Sequence, residues 1–237
     1  KGKTTRAGLC KCYVCQKPFT VKMGTIFEDT HAPLRLWLQA IYLMCSSKKG
    51  ISTRQLQRML GVGLKTAWHM GHRIRLAMAP SADASPLGGS GKIVEADETF
   101  LQTADGKRKA PGAGGYAHKV AVLALTERGG RVRSTKIASV TKHEIAKHIA
   151  ANVHPESTLH TDGAQHYKFI QGVDGHESVD HNKAYVRKGK SGPVHTNTLE
   201  GYFSVFKRGL VGTYQHMSEA HMNRYLAEFD FRQNTRS

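Results

Sequence analysis

Ile93-Val94-Glu95-Ala96-Asp97-Glu98-Thr99-Phe100 has the make-up of a β-strand, yet three of its eight residues are acidic. Residues two apart on a strand share a face, so Glu95, Asp97 and Thr99 point one way and Glu98 the other. A carboxylate buried on a central strand without a partner is costly, which makes Asp97 or Glu95 a candidate to hold a cation. A solvated strand edge would accommodate the same residues without any chemistry.

Downstream of this strand, His118 to Thr126 and Val132 to Val140 read as two more, separated by Gly-rich turns. Thr141-x-x-Glu144 is a capping box opening a helix in which Ile145, Ile149 and Val153 recur every four residues. Thr158 to Thr161 then forms a short strand ended by Asp162-Gly163. Three strands, a helix and a fourth strand make the opening of an RNase H-like α/β domain. Two closing helices follow, near Asn197 to Gly209 and Ser218 to Arg232, the second burying Met222, Tyr225, Leu226 and Phe229.

Upstream, residues 80–91 are small, polar and rich in Gly, Ser and Pro, a linker composition that marks a domain boundary. Before it, residues 25–79 read as a small helical region. Leu34, Leu36, Trp37, Ala40, Ile41 and Leu43 pack one helix, and Ser52 caps a second that runs to Leu60. Gly61 to Gly63 breaks the chain, and a third helix resumes from Leu64 to Met78 with Lys65, His69, His72, Arg73 and Arg75 expected on its surface. Helix, tight turn and basic helix is the pattern of a helix-turn-helix, whose second helix enters the major groove; a plain helical hairpin has the same pattern.

Residues 1–24 hold Cys10, Cys12 and Cys15. Cys12-x-x-Cys15 has zinc-knuckle spacing, but a closed tetrahedral site needs four ligands. No second such pair follows, and Cys45 falls in an apolar run that reads as helix core. The chain opens on Lys1 and stops at Ser237 directly after a helical stretch, and so reads as a fragment.

The chain carries 35 Lys and Arg against 18 Asp and Glu, a formal charge of +17. That excess implies a polyanionic partner. Apolar runs such as Val120 to Leu125 are too short to span a bilayer, so nucleic acid is favoured over membrane. No secretory signal opens the chain, and a cytoplasmic location with reduced thiols is expected.

Phosphoryl transfer on DNA commonly uses two divalent ions roughly 3.5 to 4 Å apart. Mg²⁺ takes few protein carboxylates, so three acids from distant segments suffice. Asp97 is one candidate. Asp162, at a strand end before Gly163, is a second, although Asp-Gly is also ordinary turn chemistry. In His195-Thr196-Asn197-Thr198-Leu199-Glu200-Gly201-Tyr202-Phe203-Ser204-Val205-Phe206-Lys207-Arg208, a helix sets Asn197, Glu200, Ser204 and Lys207 near one face, with Lys207 two turns beyond Glu200. Asn197 as N-cap with Glu200 at the third position would equally be a capping box.

Ala96-Asp97-Glu98-Thr99-Phe100, His160-Thr161-Asp162-Gly163 and the His195 to Arg208 segment together resemble the ISXO-like insertion-sequence transposases. The likeness extends to Gly24-Thr25-Ile26-Phe27-Glu28, to Leu60-Gly61-Val62 with Lys65-Thr66-Ala67-Trp68, and to Gly209-Leu210-Val211-Gly212-Thr213-Tyr214. It implies an RNase H-like catalytic core at 92–237, a helix-turn-helix ahead of it, and an N-terminal zinc ribbon of which this chain holds only the Cys12 and Cys15 part, with Zn²⁺ expected only in a full-length protein.

The resemblance further implies a Mg²⁺- or Mn²⁺-dependent enzyme of the D-D-E type, acting on double-stranded transposon-end and target DNA as a homo-oligomer in a bacterial cytoplasm, at the nucleoid. Asp97 and Asp162 match the first two catalytic aspartates. The third is Glu200 or Asn197, followed by Lys207. A carboxylate binds Mg²⁺ better than an amide, which favours Glu200. Arg208 and the run Asn182-Lys183-Ala184-Tyr185-Val186-Arg187-Lys188-Gly189-Lys190 are expected to grip DNA, with Lys65, His69 and Arg73. His160, His166, His181 and His195 fall near the site as phosphate or structural contacts. A nuclease or resolvase that cuts without joining, and a non-catalytic DNA-binding protein, are the alternatives.

Overall fold

The computed structural model describes residues 8–81, 84–103, 115–116, 118–168, 170–180, 183–190 and 192–236. The chain divides into two compact units, Lys1–Ser47 with Ile51–Ala77, and Lys48–Gly50 with Met78–Ser237.

The first unit opens with β1 (Cys10–Lys11) and β2 (Pro18–Phe19), paired antiparallel around a tight turn. Helix α1 (Leu34–Ser46) buries Trp37, Ala40 and Met44, one stripe at helical spacing. The Trp37 indole N–H donates to Thr30 Oγ1 at 3.0 Å. Helix α2 (Thr53–Leu60) starts where the Ser52 hydroxyl accepts the Gln55 N–H, and stops at Gly61, whose left-handed φ of 64° lets its N–H reach the Gln57 carbonyl. After a short turn, α3 (Leu64–Met78) buries Ala67, Met70 and Ile74. Two expectations fail in this unit. Cys45 is exposed, because it sits about 100° around the helix from the buried Met44. His72 and Arg75 are buried; the His72 ring lies against Trp68, with centroids 4.3 Å apart.

In the second unit, β3 (Ile93–Thr103), β4 (Lys119–Glu127) and β5 (Val132–Ile137) form an antiparallel meander. Helix α4 (Lys142–Asn152), capped by the Thr141 hydroxyl, leads to β6 (Thr158–Asp162), which lies parallel to β3, and β7 (Gly175–Val179) lies parallel to β6. The order across the five-stranded sheet is β5-β4-β3-β6-β7, with β3 at its centre. Both faces are covered, as the nearly continuous apolar run of β4 requires. On one face Val94, Ala96, Leu123 and Leu159 pack with Ile145 and Ile149 of α4. On the other, Val122 and Ala124 pack with α5 (Asn197–Gly209) and α6 (Met222–Asn234) through Leu199, Phe203, Phe206, Leu226 and Phe229. Between β7 and α5, the strands β8 (Arg187–Gly189) and β9 (Gly192–Val194) form a hairpin.

Of the stretch expected to be a linker, the part from Ser85 is a strap built into this unit. Leu87 is 1% exposed, and its backbone bonds to Asn152 and His154 at 2.8 Å each. The apolar side chain and the paired backbone outweigh the breaker-rich composition around them.

One buried polar pin ties three elements. Asp230 of α6 accepts the Ser134 N–H and hydroxyl of β5 at 2.8 and 2.7 Å and the Tyr202 hydroxyl of α5 at 2.6 Å. Burial pushes the Asp230 carboxyl up to about 7. Tyr202→Phe leaves that carboxyl one donor short and is expected to cost about 1–3 kcal/mol in urea unfolding.

Candidate active site

The pleat of β3 sends its three acids to different places. Parallel pairing of Ala96 with Thr161 brings Asp97 alongside Asp162, which ends β6 and holds the Ala164 N–H at 3.1 Å. On the α5 face, Asp97 and Thr99 form one wall of a cleft of about 520 Å³, and Glu200, Ser204, Lys207 and Arg208 form the other. Burial first, and then the charges of Glu98, Asp162 and Glu200, push the Asp97 carboxyl up to about 8. Lys207 and Arg208 are exposed at the far end of the same helix face.

Among the described residues, no three His, Cys, Asp or Glu side chains stand close enough to hold a metal ion as they are. Asp162 and Glu200 each lie within electrostatic reach of Asp97 without the three closing into a tight set, as repulsion between carboxylates favours.

Glu95, the rival of Asp97 in the sequence, has a different task. Fully buried, it accepts the Arg128 guanidinium at 3.0 and 3.1 Å, the Thr198 hydroxyl at 3.0 Å and the Thr198 N–H at 3.2 Å. A carboxylate from the sheet thus caps the N-terminus of α5. Thr196 is the N-cap residue but its side chain does not cap the helix, and Asn197 is the first helical residue and exposed. The alternative Asn197–Glu200 capping box does not form, because Asn197 is already inside the helix and the Glu200 N–H donates to the Thr196 carbonyl at 3.1 Å. Arg128 also donates to the Pro193 carbonyl at 2.9 Å and the His195 carbonyl at 3.3 Å, and lies 3.3 Å from His160 Nδ1. With Glu95 joined to Thr198, α5 runs along β3 so that Glu200 falls beside Asp97. Nothing in the sequence singled out Arg128, one arginine in a Gly-rich turn.

On the opposite face, Glu98 accepts the Tyr167 hydroxyl at 2.5 Å and pairs with His166 at 2.9 Å. This clasp holds the segment after Asp162 to the strand of Asp97. The Glu98 hydrogen bond raises the His166 pKa. His160 is fully buried, and burial, reinforced by the Arg128 charge, pushes its pKa down to about 4. It is therefore a neutral structural residue and not a phosphate contact. His195 lies 3.4 Å from Glu95. His181 and Asn182 lie outside the described residues.

The remaining candidates are dispersed. Lys65 and His69 are exposed on α3, whereas Arg73 is half-buried and donates to the Glu28 carbonyl at 2.6 Å. Lys183, Arg187, Lys188 and Lys190 are exposed around β8. Cys12 and Cys15 adjoin each other, and backbone and side-chain hydrogen bonds from Cys15 lower the Cys12 pKa.

Two measurements probe this arrangement. The folded chain holds the Asp97 proton more tightly than the unfolded one, so this site favours folding at low pH and loses that contribution as pH rises from about 4 to about 8. Asp97→Asn is expected to raise the melting temperature at pH 8 and leave it nearly unchanged at pH 4. Arg128→Met strands the buried Glu95 charge and is expected to cost roughly 3–5 kcal/mol in chemical denaturation.

The ISXO2-like transposase domain matches residues 86–234. A protein described as uncharacterized, from the transposable element ISH50 of Halobacterium salinarum, is 29% identical over 237 residues, covering 93% of this chain and 76% of that one. The domain match takes in the whole sheet, the acidic cleft and both closing helices, and the chain belongs to the ISXO2-like transposase domain family.

Proposed function

We propose that this chain is a metal-dependent DNA transposase whose second unit is an RNase H-like core, with Asp97, Asp162 and Glu200 as its acidic triad. The observation that carries the reading is the crowding of Asp162 and Glu200 charge onto a half-buried Asp97 beside a cationic helix face. A sheet with an antiparallel meander and two parallel strands, ordered β5-β4-β3-β6-β7, supports the core assignment.

The donor set is anionic oxygen throughout, which fits Mg²⁺ or Mn²⁺. Such an ion, when bound, offsets the carboxylate repulsion and polarises a phosphate or water oxygen. Asp97 would hold the ion from the sheet, with Asp162 beside it at the end of the neighbouring strand, and Glu200 from the helix. Lys207 and Arg208 draw the phosphate backbone along α5. Asn197 is exposed at the helix start whereas Glu200 lines the cleft opposite Asp97, which supports Glu200 over Asn197 as the third residue.

In the first unit, α2 and α3 act as a helix-turn-helix that presents Lys65 and His69 to duplex DNA, while Lys183, Arg187, Lys188 and Lys190 supply a second backbone contact. The Cys12–Cys15 turn offers two thiolates toward a zinc site, with Zn²⁺ expected only in a full-length protein.

With Mg²⁺ and DNA carrying the element ends, Asp97→Ala and Glu200→Ala are expected to lose both cleavage and strand transfer while still binding DNA. Asn197→Ala should stay within a few-fold of the parent. Joined products exclude a hydrolytic nuclease; full activity of Asp97→Ala would remove the triad assignment.

A further inference from the structure

The run Lys183-Ala184-Tyr185-Val186-Arg187-Lys188-Gly189-Lys190 leads into the β8–β9 hairpin. Tyr185 is 73% exposed and Val186 46%. A lone exposed aromatic is ordinary surface, and a lone charge run is ordinary solvation. Here they are combined on a mount that is held at several points.

Arg187 Nε donates to the Ser178 carbonyl of β7 at 2.8 Å, and the Lys190 N–H donates to Glu177 Oε1 at 2.9 Å. A Cβ at Gly189 would lie 2.1 Å from Glu177 Oε2, so the hairpin closes onto Glu177 only because residue 189 has no side chain. Glu177 in turn stands 3.7 Å from His160, which touches the Arg128 network under α5. The hairpin is tied to the frame that carries Glu200 through the Pro193 carbonyl of β9, which accepts Arg128 at 2.9 Å.

The lysines of this run are exposed. Among the described residues, no carboxylate ion-pairs with Arg187, Lys188 or Lys190. Lys183 reaches Asp180 only at 3.7 Å, with the lysine 83% exposed. A run of exposed cations can follow a phosphate backbone, and an exposed aromatic within the run offers a surface on which a base can stack. Bases inside an intact duplex already stack on each other. An unpaired base at an end or a nick does not.

We propose that Tyr185, backed by Val186, stacks on an unpaired base of the DNA handled in the cleft, while Lys183, Lys188 and Lys190 hold the phosphates of that strand. This rests on the transposase reading above and adds the kind of DNA that the hairpin selects: a frayed or single-stranded end.

The test uses the whole chain with two DNAs, a blunt duplex and the same duplex with a single-stranded tail containing a fluorescent aminopurine base. Binding to each is followed by anisotropy, and stacking by quenching of the aminopurine. The parent is expected to bind the tailed DNA more tightly and to quench it. Tyr185→Ala should lose roughly tenfold or more in affinity for the tailed DNA, together with the quenching, and keep its affinity for the blunt one. Tyr185→Phe should behave as the parent. Tailed-DNA affinity and quenching unchanged in Tyr185→Ala would overturn the stacking proposal and leave the transposase reading standing. A parent chain that binds neither DNA would overturn both.

Discussion

The second unit depends on how one carboxylate is neutralised. Glu95 lies in the central strand with no exposure to water, and a charge in that position survives only if hydrogen-bond donors surround it. Arg128 comes from the turn after β4, and Thr198 from the first turn of α5. Meeting that one requirement fixes the turn, the end of the β8–β9 hairpin through the Pro193 carbonyl, and the start of the helix. Helix α5 is amphipathic and would pack on the sheet in any case. Glu95 decides where along the sheet it sits, and therefore which acid meets Asp97.

Three acids within four residues of β3 come to three different ends, and pleat and depth account for all of them. Glu95 and Asp97 share a face, but Glu95 lies where the helix begins and is consumed by capping. Asp97 lies two residues further on, where the helix has moved past its N–H groups and offers another carboxylate. Glu98 turns to the α4 side and is taken by Tyr167 and His166. Each of the two glutamates flanking Asp97 braces one of its neighbours, the helix of Glu200 in one case and the turn after Asp162 in the other.

Much of this frame is legible in local sequence. Period-two alternation marks β3, the apolar run marks β4, and the Thr141 box and the Gly61 stop mark helix ends, because these signals act through adjacent residues. Gly175–Val179, by contrast, is a polar edge strand without alternation, and the β8–β9 hairpin is set by its contacts with Glu177 and Ser178, far from it in any local pattern. The same limit applies within the site. Strand position makes Asp97 a candidate, whereas Asp162-Gly163 alone reads as well as an ordinary turn, and only the family resemblance lifts it. The choice between Asp97 and Glu95 turns on Arg128, more than thirty residues away, and on Thr198, more than a hundred. The burial of His72 and Arg75 was hidden in the same way, since a basic composition gives no sign of which side chains fold inward.

With the positive end of α5 already matched by Glu95, the helix dipole contributes little at the cleft itself, and side chains set the field there. Along that helix face the charge reverses from Glu200 to Lys207, a distance of about 10 Å at the usual helical rise. On the proposed reading, a cation at one end and a polyanion at the other would each weaken the repulsion that opposes its counterpart. Two such binding events would be thermodynamically linked, so whatever the cation added to the affinity for the polyanion, the polyanion would return in equal measure to the cation.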